Sequence, residues 1–122
     1  MAAKVLLIED EPNIIEAIGF VLKRDGLNVR THSNGVDAIE AVRRESPDLV
    51  ILDVMLPGRS GYEILEELRD DAQIGDIPVL MLTARGQARD REMAERAGAS
   101  RYMTKPFANA AVLEAVRELL GQ

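Results

Sequence analysis

Acidic, hydroxyl and amine side chains follow four apolar runs of the sequence. Glu9 and Asp10 follow the first run, Asp53 the third, Thr83 the fourth and Lys105 the fifth. Neighbouring carboxylates repel each other unless a cation holds them, and a hard, oxygen-binding ion such as Mg²⁺ suits that role. An aspartate can accept a phosphoryl group covalently, and an ammonium can neutralise charge on the phosphoryl oxygens. These residue types therefore favour a small acidic Mg²⁺ site for phosphoryl transfer.

Each of these residues has a predicted role. Asp53 stands alone after its run, so it is the best candidate nucleophile. We expect Glu9 and Asp10 to position the metal ion. We expect Lys105 to supply the ammonium, and Thr83 to donate a hydrogen bond to the attached phosphoryl group. Singly, such residues are more often solvated charges, helix caps or strand-end hydroxyls, so the prediction depends on their combination.

The apolar runs predict the strands that must position these side chains. Three runs rich in Val, Ile and Leu are bounded by turn or charged residues, which is typical of strands buried on both faces. These are Val5–Ile8, Leu49–Leu52 and Val79–Leu82. Two more polar runs, Asn28–His32 and Arg101–Thr104, fit edge strands of the same sheet.

Helical patterns separate and follow these runs. Apolar residues recur at 3.6-residue spacing in five segments, Asn13–Arg24, Gly35–Glu45, Gly61–Asp71, Ala88–Ala97 and Asn109–Leu120. Strict alternation of strands and helices predicts an α/β, doubly wound fold with a mostly parallel sheet and helices on both faces. The carboxyl ends of the strands then meet at one edge, where ligands bind in such folds.

Size, charge and composition exclude several classes of protein. The chain has 122 residues, the length of one domain, so we expect a single domain over residues 1–122 with no output domain. A net charge of −6 opposes direct binding to DNA or RNA. With no cysteine, a disulfide framework and a thiolate metal site are excluded. No apolar stretch is long enough to span a membrane and no leader pattern precedes the first run, so we expect a cytoplasmic protein.

Four motifs in this order resemble the receiver domain of bacterial two-component response regulators, and the resemblance runs from Lys4 to Leu120. The motifs are Ile8-Glu9-Asp10-Glu11-Pro12, Leu52-Asp53-Val54-Met55-Leu56-Pro57-Gly58, Leu82-Thr83-Ala84-Arg85 and Thr104-Lys105-Pro106-Phe107. The resemblance implies a flavodoxin-like (βα)5 fold with strand order 2-1-3-4-5. It also implies a phosphorylation-activated switch that is not an enzyme beyond its own phosphoryl transfer and slow dephosphorylation.

The resemblance assigns the metal and phosphorylation sites residue by residue. Asp53 would be the phosphoacceptor, and Glu9, Asp10 and Asp53, with the backbone carbonyl of Met55, would bind Mg²⁺. Many members of the family have Asp where this chain has Glu9. The additional methylene moves the carboxylate outward, so the geometry around the metal is expected to differ from theirs.

The resemblance also implies how phosphorylation changes the protein. Thr83 and Lys105 would contact the phosphoryl group, and the Lys105-Pro106 peptide bond would be cis. Tyr102 matches the aromatic switch of the family, which turns inward as the threonine moves toward the phosphate. Helix Ala88–Ala97, the fifth strand and the last helix would form the output face, which binds an unidentified downstream protein.

Partners and hydrolysis follow from the same resemblance. A histidine kinase or histidine phosphotransfer protein would dock near Ile15 and Pro106, while Phe20 is expected to pack against a neighbouring helix. We expect a monomer or a weak, phosphorylation-dependent dimer. Met55 and Arg85 stand where family members tune attack by water, and since methionine orients water poorly we expect slow self-dephosphorylation.

Three other functions compete with this interpretation. A receiver-like module that binds partners without phosphorylation is favoured only by Glu9 and opposed by the complete set of Asp53, Thr83 and Lys105. A metal-dependent aspartyl phosphatase needs Asp-x-Asp, and here Met55 replaces the second acid. A flavin carrier needs a Ser/Thr/Gly-rich phosphate loop where this chain has acidic residues, and no P-loop sequence is present.

Overall fold

The computed structural model describes residues 2–83 and 88–121, in which five strands alternate with five helices. The strands are β1 (Lys4–Ile8), β2 (Asn28–His32), β3 (Leu49–Asp53), β4 (Val79–Thr83) and β5 (Arg101–Thr104). The helices are α1 (Pro12–Arg24), α2 (Ala38–Glu45), α3 (Gly61–Asp70), α4 (Ala88–Ala97) and α5 (Asn109–Leu119). The predicted alternation is confirmed throughout.

The strands form one parallel sheet in the order β2-β1-β3-β4-β5, as the resemblance implies. The three predicted central runs are the central strands, and every residue of β3 and β4 is buried. The two more polar runs are the edge strands. The register pairs Asp53 with Leu82 and Thr83 with Thr104, so the carboxyl ends of β3, β4 and β5 are nearly level.

Two apolar layers cover the sheet because successive side chains of a strand point to opposite faces. On one face, Leu6, Val50 and Met81 belong to a buried cluster with α2, α3 and α4. On the other face, residues such as Leu7 and Leu80 belong to a second cluster with α1 and α5. This arrangement is the predicted α/β fold with helices on both faces. Across residues 2–83 and 88–121, no helix has both the length and the apolar character needed to cross a bilayer.

The start of α2 differs from the prediction. The helix begins at Ala38 instead of Gly35, because the preceding residues form a turn with bonds of its own. The Gly35 amide donates to the carbonyl of Pro57 at 3.1 Å, and the Val36 amide donates to the Asn34 side chain at 2.8 Å. A Cβ atom at Gly35 would lie 2.8 Å from the carbonyl oxygen of Arg59, so this close approach requires glycine.

Candidate functional site

The predicted site residues lie at the carboxyl edge of the sheet, where backbone hydrogen bonds extend the ladder beyond the strands. The Glu9 amide donates to β2 at 3.0 Å, continuing the β1–β2 pairing. The Val54 amide donates to Leu82 at 3.0 Å, and the Lys105 amide donates to Thr83 at 2.7 Å. The backbone at Asp53 and Lys105 is therefore held by the sheet itself.

A buried ion-pair cluster occupies this edge. Asp53 and Glu9 are 1% and 0% exposed, and the ammonium of Lys105 contacts both carboxylates. Lys105 Nζ lies 3.0 Å from Asp53 Oδ2 and 3.2 Å from Glu9 Oε1. It also lies 3.9 Å from the exposed carboxylate of Glu11. The structure thus brings the predicted nucleophile, one predicted metal ligand and the predicted ammonium into direct contact.

Burial controls the protonation of this cluster. Desolvation, reinforced by the Asp53 carboxylate and only partly offset by Lys105, raises the pKa of Glu9 from 4.5 to about 8. Burial alone would lower the pKa of Lys105, but Asp53 and Glu9 outweigh it and raise that pKa. Burial therefore favours the protonated form of Glu9, while the Asp53 carboxylate favours the charged form of Lys105. A cation that binds Glu9 must displace this proton.

The acidic residues fit a divalent cation. Each of Glu9, Asp10 and Asp53 offers one carboxylate oxygen, and these three atoms lie within 4.8 Å of one another. Within the described part of the chain, Glu9 Oε2 is buried yet accepts no hydrogen bond, so it is a ligand atom without a present partner. Asp10 is exposed, which leaves room for the waters that Mg²⁺ usually retains.

The loop after β3 is fixed against the backbone of Asp53. The Met55 amide donates to Asp53 Oδ1 at 3.2 Å, and the Gly61 amide donates to Val54 at 2.9 Å. A Cβ atom on Gly61 would lie 2.3 Å from the Asp53 carbonyl oxygen, a distance that no side chain tolerates. Gly61 is thus a positioning residue that the sequence analysis missed. The signal that could have found it is a glycine at the first turn of the helix after Asp53.

The two predicted switch residues lie on neighbouring strands. Thr83 is 2% exposed at the end of β4, and its backbone carbonyl accepts the Lys105 hydrogen bond. Tyr102 pairs with Met81 in the β4–β5 register and packs against the core cluster beneath α4. The Lys105-Pro106 bond is cis, as the resemblance implies. Ala84 and Arg85, which belong to the Thr83 motif, lie outside the described residues.

The predicted docking residues are divided between a groove and the core. Pro106 is exposed and lines a groove of about 460 Å³ between α1 and the start of α5, together with Ile14 and Phe107. Ile15 is half-buried and packs against the core on the α1 and α5 face. The expectation that Phe20 packs against a neighbouring helix is wrong, since 65% of this residue is exposed. It lies at a separate hollow between α1 and α5.

A family model and a curated relative both match most of this chain. A family model described as "Response regulator receiver domain" matches residues 5–117. The probable transcriptional regulatory protein TcrX of Mycobacterium tuberculosis is 42% identical over 116 residues, which is 95% of this chain and 49% of TcrX. The chain therefore spans about half the length of this relative.

Solved structures agree with the fold over nearly the whole chain. The BeF₃-activated N-terminal receiver domain of Klebsiella pneumoniae RstA superposes with a TM-score of 0.89 at 33% identity, covering 98% of this chain and 99% of that one. The receiver domain of the sensor histidine kinase PA1611 from Pseudomonas aeruginosa has a TM-score of 0.90 at 29% identity and full coverage of both chains. That structure has a magnesium ion coordinated in its active-site cleft.

Proposed function

The chain belongs to the response regulator receiver domain family, and we propose that it is a signalling switch activated by phosphorylation of Asp53. The observation that carries this proposal is the buried Asp53 carboxylate, paired with Lys105 at 3.0 Å and flanked by Glu9 and Asp10. A nucleophile, a cation and two acidic metal ligands in one cluster are the groups that phosphoryl transfer requires.

The reaction is an in-line displacement at phosphorus. A carboxylate oxygen of Asp53 forms a bond to the phosphorus of a phosphohistidine while the phosphorus–nitrogen bond breaks, and the electron pair leaves with the imidazole. Lys105 turns from the bare carboxylates to the phosphoryl oxygens, whose charge it partly neutralises. The Thr83 hydroxyl donates a hydrogen bond to the attached group, and Tyr102 then turns inward. This change alters the output face formed by α4, β5 and α5.

Glu9, Asp10 and Asp53, with the backbone carbonyl of Met55, are proposed to hold Mg²⁺. A bound Mg²⁺ supplies charge neutralisation for the transferring phosphoryl group. Two observations support this assignment: Glu9 Oε2 has no hydrogen-bond partner among the described residues, and the three carboxylates are grouped. Because the Glu9 proton must leave first, binding of the ion is expected to strengthen as the pH rises toward 8.

Receiver domains interact with histidine kinases and downstream effectors. We assign the phosphodonor, a histidine kinase or phosphotransfer protein, to the groove beside Pro106, because this groove opens next to Lys105. Ile15 stays a proposed contact of the same partner on α1. The exposed, apolar Met55 beside the site supports slow hydrolysis of the phosphorylated aspartate, since a thioether orients water poorly.

Intact-mass spectrometry after incubation with acetyl phosphate tests the proposal. We expect a gain of one phosphoryl group that requires Mg²⁺ and disappears in Asp53→Asn. Asp70→Asn, at the exposed end of α3, is the matched control and should gain the group normally. The lifetime of the adduct after donor removal measures the predicted slow hydrolysis. A folded chain that gains nothing from acetyl phosphate or from a phosphorelay donor would instead be a constitutive interaction module.

A further inference from the structure

Phe20 on α1 presents a large apolar side chain to the solvent. The ring is 65% exposed, whereas the other three aromatic residues of the chain are half-buried. A hollow of about 380 Å³ lies beside it between α1 and α5, with Val21 and Leu113 in its wall. An exposed ring beside an apolar hollow is typical of a surface that another protein covers.

Two opposite charges flank Phe20 on the same face of α1. Glu16 lies one helical turn before the ring and Arg24 one turn after it, so the three side chains form a single row along the helix. Both charged residues are exposed, and neither side chain has a bonding partner among the described residues. By contrast, the neighbouring Asp25 is bonded to Arg117. The row therefore presents an acid, an aromatic ring and a base whose charges are free to pair with another molecule.

This row is complementary to itself when a second copy is rotated by half a turn. A two-fold axis at Phe20 makes α1 of the two copies antiparallel and places Glu16 of each copy opposite Arg24 of the other. A parallel arrangement would instead oppose Glu16 to Glu16 and Arg24 to Arg24, and like charges repel. Rows with this four-residue spacing interdigitate in the commonest class of helix packing, which would bring each Phe20 ring to the hollow of the other copy.

The charge of α1 also suits self-association. The chain has a net charge of −6, so two copies repel each other over most of their surface. Helix α1 carries one acid, Glu16, and two basic residues, Lys23 and Arg24, all of them exposed. It therefore offers a face on which two acidic molecules can meet without that repulsion.

We propose that the exposed face of α1 binds a second copy of this chain, with Phe20 at a two-fold axis and Glu16 paired with Arg24 across it. The residues that carry the proposal lie on α1 and at its hollow with α5, and none belongs to the carboxylate cluster of Glu9, Asp10 and Asp53. The dimer therefore forms without phosphorylation. Because each copy contributes a single short row, the interface is small and we expect a weak, reversible association.

Sedimentation equilibrium of the unphosphorylated chain, from micromolar to millimolar concentration, tests this pairing. Glu16→Arg or Arg24→Glu alone opposes like charges twice in each dimer, and we expect the dissociation constant to rise about tenfold. The double variant exchanges the two charges and should return the constant to within about threefold of the native value. Glu66→Arg makes the same change of charge on α3, on the other face of the sheet, and should leave the constant unchanged.

Cross-linking tests the position of the axis. The chain has no cysteine, so Phe20→Cys introduces one thiol at the axis, and we expect a disulfide-linked dimer on mild oxidation. Val36 is 67% exposed in the loop before α2, and Val36→Cys is the matched control that should cross-link far less. A native chain that stays monomeric at millimolar concentration overturns the proposal and leaves this face to a different partner. A double charge variant that does not recover, or equal cross-linking of the two thiols, overturns the antiparallel pairing.

Discussion

A half-buried cation lies at each edge of the sheet, and the two cations have different kinds of hydrogen-bond partner. At the carboxyl edge, Lys105 contacts two buried carboxylates, one of which keeps an oxygen without a hydrogen bond among the described residues. Near the amino ends of β4 and β5, Arg69 donates to the carbonyls of Gly75, Ile77 and Gly98 at 2.6–2.9 Å. The hydrogen-bond donors of Arg69 are paired with backbone carbonyls, whereas Lys105 contacts carboxylates that belong to the candidate metal cluster.

This difference separates a structural site from a functional one. Backbone carbonyls cannot move without moving the strands, so Arg69 fixes the loops before β4 and β5 in one arrangement. The carboxylates at the other edge contact Lys105, burial raises the pKa of one of them, Glu9, and their oxygens lie close enough to one another to share a cation. A site left partly unsatisfied costs stability but retains the capacity to bind.

Removal of Arg69 should destabilise the fold near the amino ends of β4 and β5 and leave the carboxyl edge of the sheet intact. We expect Arg69→Met to lower the free energy of unfolding by about 2–4 kcal/mol, because three partly buried carbonyls lose a charged donor. Urea denaturation measures this loss. The control Arg44→Met removes an exposed arginine whose ion pair with Glu45 spans 3.6 Å, so its effect should stay within about 0.5 kcal/mol. Equal losses in both variants would contradict the comparison.

A side chain at position 61 should instead disturb the candidate site at the carboxyl edge of the sheet. Gly61→Ala forces its Cβ toward the Asp53 carbonyl oxygen, so the backbone of the proposed phosphoacceptor must shift. We expect the rate of phosphorylation by acetyl phosphate to fall about tenfold, which is about 1.4 kcal/mol of activation free energy. Gly19→Ala on α1 is the control and should react normally, because the added carbon meets no heavy atom within 4 Å apart from its chain neighbours and the backbone of its own helix. A Gly61→Ala rate equal to that of the native chain would show that Asp53 tolerates the shift.

The protonation of Glu9 gives a distinctive pH dependence. A pKa raised from 4.5 to about 8 means that the native fold loses stability as the pH rises through this window, because the unfolded chain ionises first. Glu9→Gln mimics the protonated acid and escapes this loss. We expect the stability of the metal-free variant relative to the native protein to rise between pH 4.5 and pH 8, as measured by urea denaturation with a chelator. A difference that does not change with pH would mean that folding does not raise the pKa of Glu9.

The sheet and the members of the site could be predicted from sequence because each depends on a local pattern. The apolar runs mark strands buried on both faces, and the residues directly after these runs lie at one edge of the sheet. The start of α2 could not be predicted, because Gly35 bonds to Pro57, a residue distant in sequence. The raised pKa of Glu9 likewise depends on burial that only the assembled sheet produces. The exposure of Phe20 could not be predicted either, because the helical period indicates which residues share a face but does not indicate whether another helix covers that face.

The backbone hydrogen bonds that extend the sheet past its strands also set how durable the site is. The Val54 and Lys105 amides are bonded to the last two residues of β4, whose side chains are buried. Amides bonded to a buried strand open less often than loop amides, which open by local fluctuation. We therefore expect the Val54 and Lys105 amides to exchange hydrogen more slowly than loop amides, which would keep Asp53 and Lys105 in place while neighbouring loops fluctuate.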